Sequence, residues 1–391
     1  MNKNQHAKAR THRQFSRIFK DLGRVLPHFT EAQIRGLGEY AIGMLHTQSC
    51  SRTKNSYWLA EHLQEEVEAL RKRMSRWITN GARDIVISEC APSLMKWIVS
   101  KWSSKQMALA IDMTHLSDKW IVMAVTVLYG QVGIPVNWRI FRADEKFDGK
   151  ANWAAMLQEL KPVIPDDFDV LVLSDRGLWS PNLFRTIQSC GWHPFMRVSG
   201  QGRFTPQKGS DPVRYLRDLV QSPGNHAEMR GVAYSKAKLE CIALATWDPD
   251  HQAPWIVLTD LNPDHQLIRF YGLRNWCEQT FKLLKRGGFD WHKTRMTDPR
   301  RAECTWMAFS VAMFWSILAA VRKSRRLNDD PRPNKHRLPT QRNVRALVSH
   351  GIDIIRASVC SLRTLLADCL PPPLWHIRCK TFKRAASHVP L

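Results

Sequence analysis

The succession of strand-like and helix-like runs between Met107 and Ser199 constrains this chain more than any other feature. Ala108–Asp112 (ALAID) is an apolar run ending on a carboxylate, and Lys119–Tyr129 (KWIVMAVTVLY) is β-branched and apolar. Gly130 and Gly133 frame a turn into Ile134–Phe141 (IPVNWRIF), so three consecutive strands joined by short turns are predicted. Asn152–Val163 has helical spacing. Asp169–Asp175 (DVLVLSD) is a second continuous apolar run ending on a carboxylate, the pattern of a strand buried on both faces. Ser180-Pro181 opens a helix reaching Cys190, and His193–Ser199 (HPFMRVS) supplies a fifth strand.

The order βββαβαβ, with a carboxylate on the first and fourth strands, is the arrangement of the ribonuclease H-like α/β fold. In that fold a third acid comes from a helix soon after the fifth strand. Here the next suitable helix is Tyr271–Arg286 (YGLRNWCEQTFKLLKR), so an insertion is required. Gln201–Asn225 is polar and loop-like, while Val232–Trp247 and Trp255–Leu261 read as strands, giving a β-rich insertion over 201–262.

At about 100° per residue, Tyr271, Arg274, Glu278, Lys282 and Lys285 fall within roughly 80° of one another on that helix. Leu273, Trp276, Cys277, Thr280, Phe281, Leu283 and Leu284 fill the uncharged opposite side, and Gly287 and Gly288 follow where a helix stops. One carboxylate ringed by an arginine, two lysines and a tyrosine suits a metal ion beside a phosphate backbone. The same spacing also fits an amphipathic helix with a solvated basic face. Asp112, Asp175 and Glu278, two at strand ends and one on a packed helix, can converge and hold Mg²⁺ or Mn²⁺ through hard oxygens. Two such ions about 3.5–4 Å apart serve an in-line phosphoryl transfer. Asp118, Asp144 and Asp148 fit less well, because none ends a long apolar strand.

Charge narrows the partner. Lysine and arginine number 58 against 35 acids, a formal charge of +23. The excess recurs in Lys3–Arg24, Arg71–Arg76, Lys293–Arg301 and Arg322–Arg345, which points to nucleic acid before membranes or small anions. The nine cysteines form no CxxC pairing, so they read as buried thiols in a reducing compartment. The first 24 residues lack the apolar core of a signal peptide, and the uncharged run Cys304–Val321 reads as a buried core helix, so a soluble cytoplasmic protein is expected.

Residues 1–100 read as a separate helical region. Thr30–Gln33 is a capping box before Ile34, Leu37 and Tyr40; Ser51–Asn55 is a polar break. Trp58–Ile78 then carries Arg71, Lys72, Arg73 and Arg76, the pattern of a helix-turn-helix-like DNA reader or of a solvated basic face. Asp298-Pro299 caps the long apolar helix, and 322–391 reads as a basic linker followed by a helical C-terminal region.

The spacing of Tyr271, Arg274, Glu278 and Lys285 resembles the Y-R-E-K signature of DDE transposases of the insertion sequence 4 family. Asp175-Arg176-Gly177 and Ala110–Leu116 (AIDMTHL) resemble the family's acidic boxes, and the resemblance covers roughly 105–321. It implies a catalytic core with a β-rich insertion, acting as a homodimer on the terminal inverted repeats of a transposon and on target DNA. It implies that Asp112, Asp175 and Glu278 hold the metals, and that Tyr271, Arg274 and Lys285 take the terminal phosphates of the non-transferred strand. In members that excise through a hairpin, a tryptophan on the last inserted strand stacks on a flipped base; Trp255 matches that place, with Trp247 as the alternative. A ribonuclease H-like nuclease without strand transfer, or a DNA-binding repressor with a decayed site, are the other readings.

Overall fold

The computed structural model describes residues 3–207, 212–262 and 267–328, together with 348–349, 352–353 and 355. Most of the expected linker and C-terminal region therefore lies outside the described residues. Helices α1 (Lys3–Val25), α2 (Glu31–Thr47), α3 (Arg52–Leu63), α4 (Val67–Asp84) and α5 (Ile87–Lys101) come first. The strand meander β1 (Gln106–Leu116), β2 (Trp120–Tyr129) and β3 (Val132–Arg142) follows, then α6 (Gly149–Leu160), β4 (Asp169–Ser174), α7 (Pro181–Ser189) and β5 (His193–Arg197). Next come β6 (Arg203–Pro206), β7 (Arg214–Tyr215), β8 (His226–Ala233), β9 (Leu239–Thr246) and β10 (Trp255–Thr259). The described chain closes with α8 (Asn275–Lys282) and α9 (Pro299–Asn328).

Local chemistry sets several of these boundaries. Thr30 and Gln33 form the expected reciprocal capping box at α2. Ser51 caps α3, so most of the polar stretch expected as a break starts a helix; the chain is interrupted just before it, at 48–51, and again at 64–66. Ser180 caps α7 with Pro181 at its first position, and the Asp298 carboxylate accepts from Arg300 N at 2.9 Å and Arg301 N at 3.4 Å to open α9.

The ten strands form one sheet, in the order β3-β2-β1-β4-β5-β10-β9-β8-β6-β7. The first three pair antiparallel, while β4 runs parallel to β1 and β5 parallel to β4. This is the ribonuclease H-like core. The β-rich stretch after it is continuous with the core, because β10 pairs with β5 over Val257↔Arg197 to Thr259↔Phe195. β2 and β4 are buried almost throughout, as expected for strands covered on both faces.

α9 is the organising helix. Over Pro299–Val321 it is long and apolar enough to cross a membrane, yet from Cys304 to Val321 it is entirely buried. A helix apolar on every side needs protein all round it. It packs against β3 on one flank and α2 and α4 on another, so the N-terminal helices and the sheet share one apolar core. Polar clasps fix its position: the Ser310 hydroxyl donates to the Pro135 carbonyl, Arg300 reaches Ile85 O at 3.1 Å, and Glu303 accepts from Ile140 N at 3.2 Å. The six described cysteines are all buried free thiols.

Burial pushes the Glu303 carboxyl up to about 7 from an ordinary 4.5, against the pull of Ile140 N–H, Arg300 and Arg139. A carboxyl raised in the folded state contributes stability that is complete below 4.5 and is lost as pH rises through 7. The slope is about 1.4 kcal/mol per pH unit, roughly 3 kcal/mol across the window. Urea unfolding of wild type and Glu303→Gln should therefore diverge by about that amount across the window, with the variant insensitive. Parallel pH profiles would show that Glu303 is charged in the fold.

Candidate active site

Asp112 and Asp175 are neighbours because of strand register. β1 and β4 are parallel with Ile111 opposite Ser174, so the next residue on each chain is an aspartate. Asp112 was expected at a strand end, but β1 continues to Leu116, paired with β2 alone once β4 has stopped. The acids thus stand where β4 ends beside a strand that carries on. Carboxyl ends of parallel strands are the usual place for a site in such sheets.

Glu278 arrives on α8, which packs against β1, β2 and β3. Thr280 pins that helix: its hydroxyl donates to Gly133 O at 2.8 Å and accepts from Gly133 N at 2.7 Å. Gly133 is also crowded from the neighbouring strand, where a Cβ would lie 2.9 Å from Thr126. Leu273, Cys277, Thr280, Phe281, Leu283 and Leu284 are buried as the sequence pattern requires, and Trp276 is half-buried. The expected continuous helix is, however, three pieces: a 3-10 segment over Leu267–Arg274, α8, and a π turn over Leu283–Gly287. Changes of helical type of this kind concentrate at functional sites.

Arg274 stands at the first of these junctions, among the acids. Its guanidinium is 2.6 Å from Glu278 Oε1, 3.2 Å from Asp112 Oδ2 and 3.7 Å from Asp175 Oδ2. The Tyr271 hydroxyl lies 3.4 Å from Asp175 Oδ1, while Met113 N and Arg176 N donate to Asp112 and Asp175 at 2.9 and 2.7 Å. Asp112 is buried at 7% exposure; the side chains of Asp175 and Glu278 are each 40% exposed. The site is therefore a hollow with one deep carboxylate and two at its rim.

Burial pushes the Asp112 carboxyl up; Arg274 and Met113 N–H oppose this, while Glu278 and Asp175 reinforce it. For Arg274 burial works to lower the pKa, but Asp112, Tyr271, Asp175 and Glu278 together carry it upward. Burial raises the Tyr271 phenol and lowers the Lys285 ammonium, the latter countered by Asp112. Lys285 is half-buried on the Asp112 side, and Lys282 is exposed.

The hard oxygens of Asp112, Asp175 and Glu278 are suitable ligands for Mg²⁺ or Mn²⁺. With Arg274 between them, their arrangement does not fit a metal: among the described residues no three acidic, histidine or cysteine side chains are grouped to hold one.

Trp255 is half-buried, and its ring meets Tyr271 edge to face at 5.2 Å. Trp247 lies at the end of β9 with its indole N–H donating to His251 O at 2.9 Å. Arg197, which sequence reasoning did not single out, holds its guanidinium 5.7 Å from the Trp255 ring and 6.0 Å from that of Tyr271. As the last residue of β5 it carries no local signal; only the pairing of β5 with β10 brings it here.

Residues 125–315 match the family model for the transposase DDE domain, a span that contains Asp175 and Glu278 and begins after Asp112. The match supports a DDE transposase. No curated protein matches the chain. Among solved structures, the piggyBac transposase synaptic complex with hairpin DNA is similar at a TM-score of 0.45 and 9% identity, covering 95% of this chain and 85% of that one.

Thr280→Val keeps the shape of the side chain but leaves the buried Gly133 N–H and C=O unpaired. It should cost about 1–3 kcal/mol per stranded group in chemical denaturation. A loss below a few tenths of a kcal/mol, roughly the background of surface substitutions, would show that α8 is held by packing alone.

Proposed function

We propose that this chain is a DNA transposase of the insertion sequence 4 family, cutting at transposon ends and joining the resulting 3′-hydroxyl to target DNA. The observation that carries the reading is the convergence of Asp112, Asp175 and Glu278 from three separate elements on one guanidinium, within a chain matching the transposase DDE domain. Mg²⁺ or Mn²⁺, in a pair, would supply activation of the attacking oxygen and neutralisation of the leaving one. As they stand around Arg274, the three carboxylates do not form a site for such ions. Tyr271, Arg274 and Lys285 would take terminal phosphate oxygens, with exposed Lys282 adding charge at the rim. Trp255 would offer an aromatic face to an unstacked base, with Arg197 behind it.

The N-terminal helices would read the transposon end. Arg52 Nη1 donates to Ser75 Oγ at 2.8 Å, which places the start of α3 beside the middle of α4. Arg52, Lys54, Arg71, Lys72 and Arg76 are exposed there, with Tyr57 at 63% exposure among them. Arg73 is not part of this face. It is paired with the wholly buried Glu39 at 3.0 Å and with Glu65 at 2.6 Å. A homodimer acting on paired inverted repeats, DNA-associated in the cytoplasm, completes the reading.

Two measurements test it. Asp112→Asn, Asp175→Asn and Glu278→Gln should each abolish nicking of a labelled duplex bearing the inverted repeat that flanks the gene, while binding stays within a few-fold. Each substitution is close to isosteric and removes a charge needed for chemistry. Nicking retained by any one variant excludes that residue, and hydrolysis without joining would leave a nuclease. Second, Lys72→Ala and Arg76→Ala should each lower the slope of log K against log salt by about 0.9. Arg73→Ala should instead cost about 1–3 kcal/mol of stability by stripping one of two arginines from the buried Glu39 carboxylate, which Arg35 still holds at 2.9 Å. An unchanged slope in both lysine and arginine variants would take α4 out of the DNA interface.

A further inference from the structure

The loop that leaves Asp175 is held by a distant part of the β-rich stretch. Trp179, at the end of that loop, stacks on Tyr234 with ring centroids 5.0 Å apart and planes 25° from parallel. Tyr234 opens the turn between β8 and β9, and Arg185 of α7 donates to Ala237 O in the same turn. Tyr234 N donates to Arg203 O at 2.8 Å, which joins the turn to β6. Arg203 lies opposite Tyr215 of the edge strand β7. The guanidinium carbons of Arg203 and Arg217 lie 5.7 and 4.9 Å from the Tyr215 ring.

This stretch of surface is basic. Arg176, Arg185, Arg203, Arg217, Lys236 and Lys238 are all exposed along it. Among the described residues, only Arg217 of these has an acidic partner, Asp218 at 3.7 Å. A guanidinium over an aromatic ring keeps its N–H donors for phosphate oxygens, so Tyr215 holds Arg203 in place without consuming them. The N-terminal helices reach the sheet through α9 and β3, at one edge. β6 and β7 close the opposite edge, so Asp112 and Asp175, at β1 and β4, lie between two basic surfaces. A duplex whose reacting phosphate sits at these acids extends to both sides, and each side carries phosphates to be neutralised.

We propose that the rim formed by Arg176, Lys236, Lys238 and Arg203 binds duplex DNA outside the transposon end, on the other side of the reacting phosphodiester from the N-terminal helices. The inference rests on the transposase reading. Arginines and lysines on exposed turns and at a sheet edge take backbone phosphates and carry no sequence information, so the rim holds DNA of any sequence. That is the chemistry required on this side of the cut, where the duplex is donor flank before cleavage and target DNA afterwards.

The test is binding of full-length protein to labelled duplexes over a salt series. One duplex carries the inverted repeat that flanks the gene together with its outer flank, one ends at the outer boundary of the repeat, and one is flank alone. Lys236→Gln combined with Lys238→Gln should lower the slope of log K against log salt by about 1.8 on the flanked duplex, and Arg203→Gln by about 0.9. Binding of the repeat-only duplex should not change. Thermal melts should match wild type, since all three side chains are exposed; if one variant melts early, the other decides. The same drop on flank alone, offered to protein already holding the repeat-only duplex, assigns the rim to target DNA. A drop confined to flank continuous with the repeat assigns it to donor DNA. An unchanged slope on every duplex overturns the rim, as does an equal drop on the repeat-only duplex or a loss seen only with single-stranded RNA of the same length. If Lys72→Ala and Arg76→Ala still lower the slope in that case and nicking persists, the transposase reading stands. A wild type that neither prefers the repeat nor nicks it takes both down.

Discussion

Three carboxylates held close together in a partly buried hollow repel one another, and the fold around Asp112, Asp175 and Glu278 answers to that repulsion. The register of β1 and β4 sets two of the acids side by side, and α8 brings the third against them. Arg274 supplies the compensating charge from the same helical stretch as Glu278. The remaining architecture keeps these groups from spreading apart. Thr280 ties α8 to the start of β3, and α9 packs on β3 with buried aromatics including Trp306, Phe309 and Phe314 along its length. Each such ring contributes about 1.5–3 kcal/mol of burial, enough as a set to bear local electrostatic strain.

The core was legible in the sequence because its strands are buried on both faces and therefore written as unbroken apolar runs. LVLS and WIVMAVTVLY can be little else. Asp112 and Asp175 were singled out by their position after such runs, and strand register does set them side by side. What escaped is what depends on neighbours. That β1 outlasts Asp112 reflects its pairing with β2, which reaches Leu116 opposite Trp120. The break of Tyr271–Arg286 into three helical types follows no periodicity, since the apolar residues still point inward as on one helix. Arg197 joins Trp255 and Tyr271 only across a strand pair far apart in sequence.

The same distinction governs the basic residues. A net charge of +23 describes the chain as a polyelectrolyte, but the fold divides its arginines into two populations. Arg73, Arg139 and Arg274 are committed to carboxylates, namely those of Glu39 and Glu65, of Glu159, and of the acidic triad. Arg52, Arg71 and Arg76 remain at the surface. Adjacent positions on α4 therefore have opposite purposes: Arg73 turns inward with Met74 and Trp77, while Lys72 and Arg76 face solvent. Composition counts both populations alike.

The packing of α2 and α4 on α9 has a consequence for how the polypeptide comes into being on the ribosome. The first helices emerge long before their partner, and the parts of α2 and α4 that rest on α9, such as Gly81 beside Cys304, stay uncovered until that helix has been synthesised. Closing so long a loop delays the final collapse to the end of translation. Premature termination upstream of α9 leaves a fragment bearing the basic surface of α3 and α4 over an uncovered apolar back. Such a fragment is a substrate for chaperones and proteases rather than a miniature DNA-binding protein.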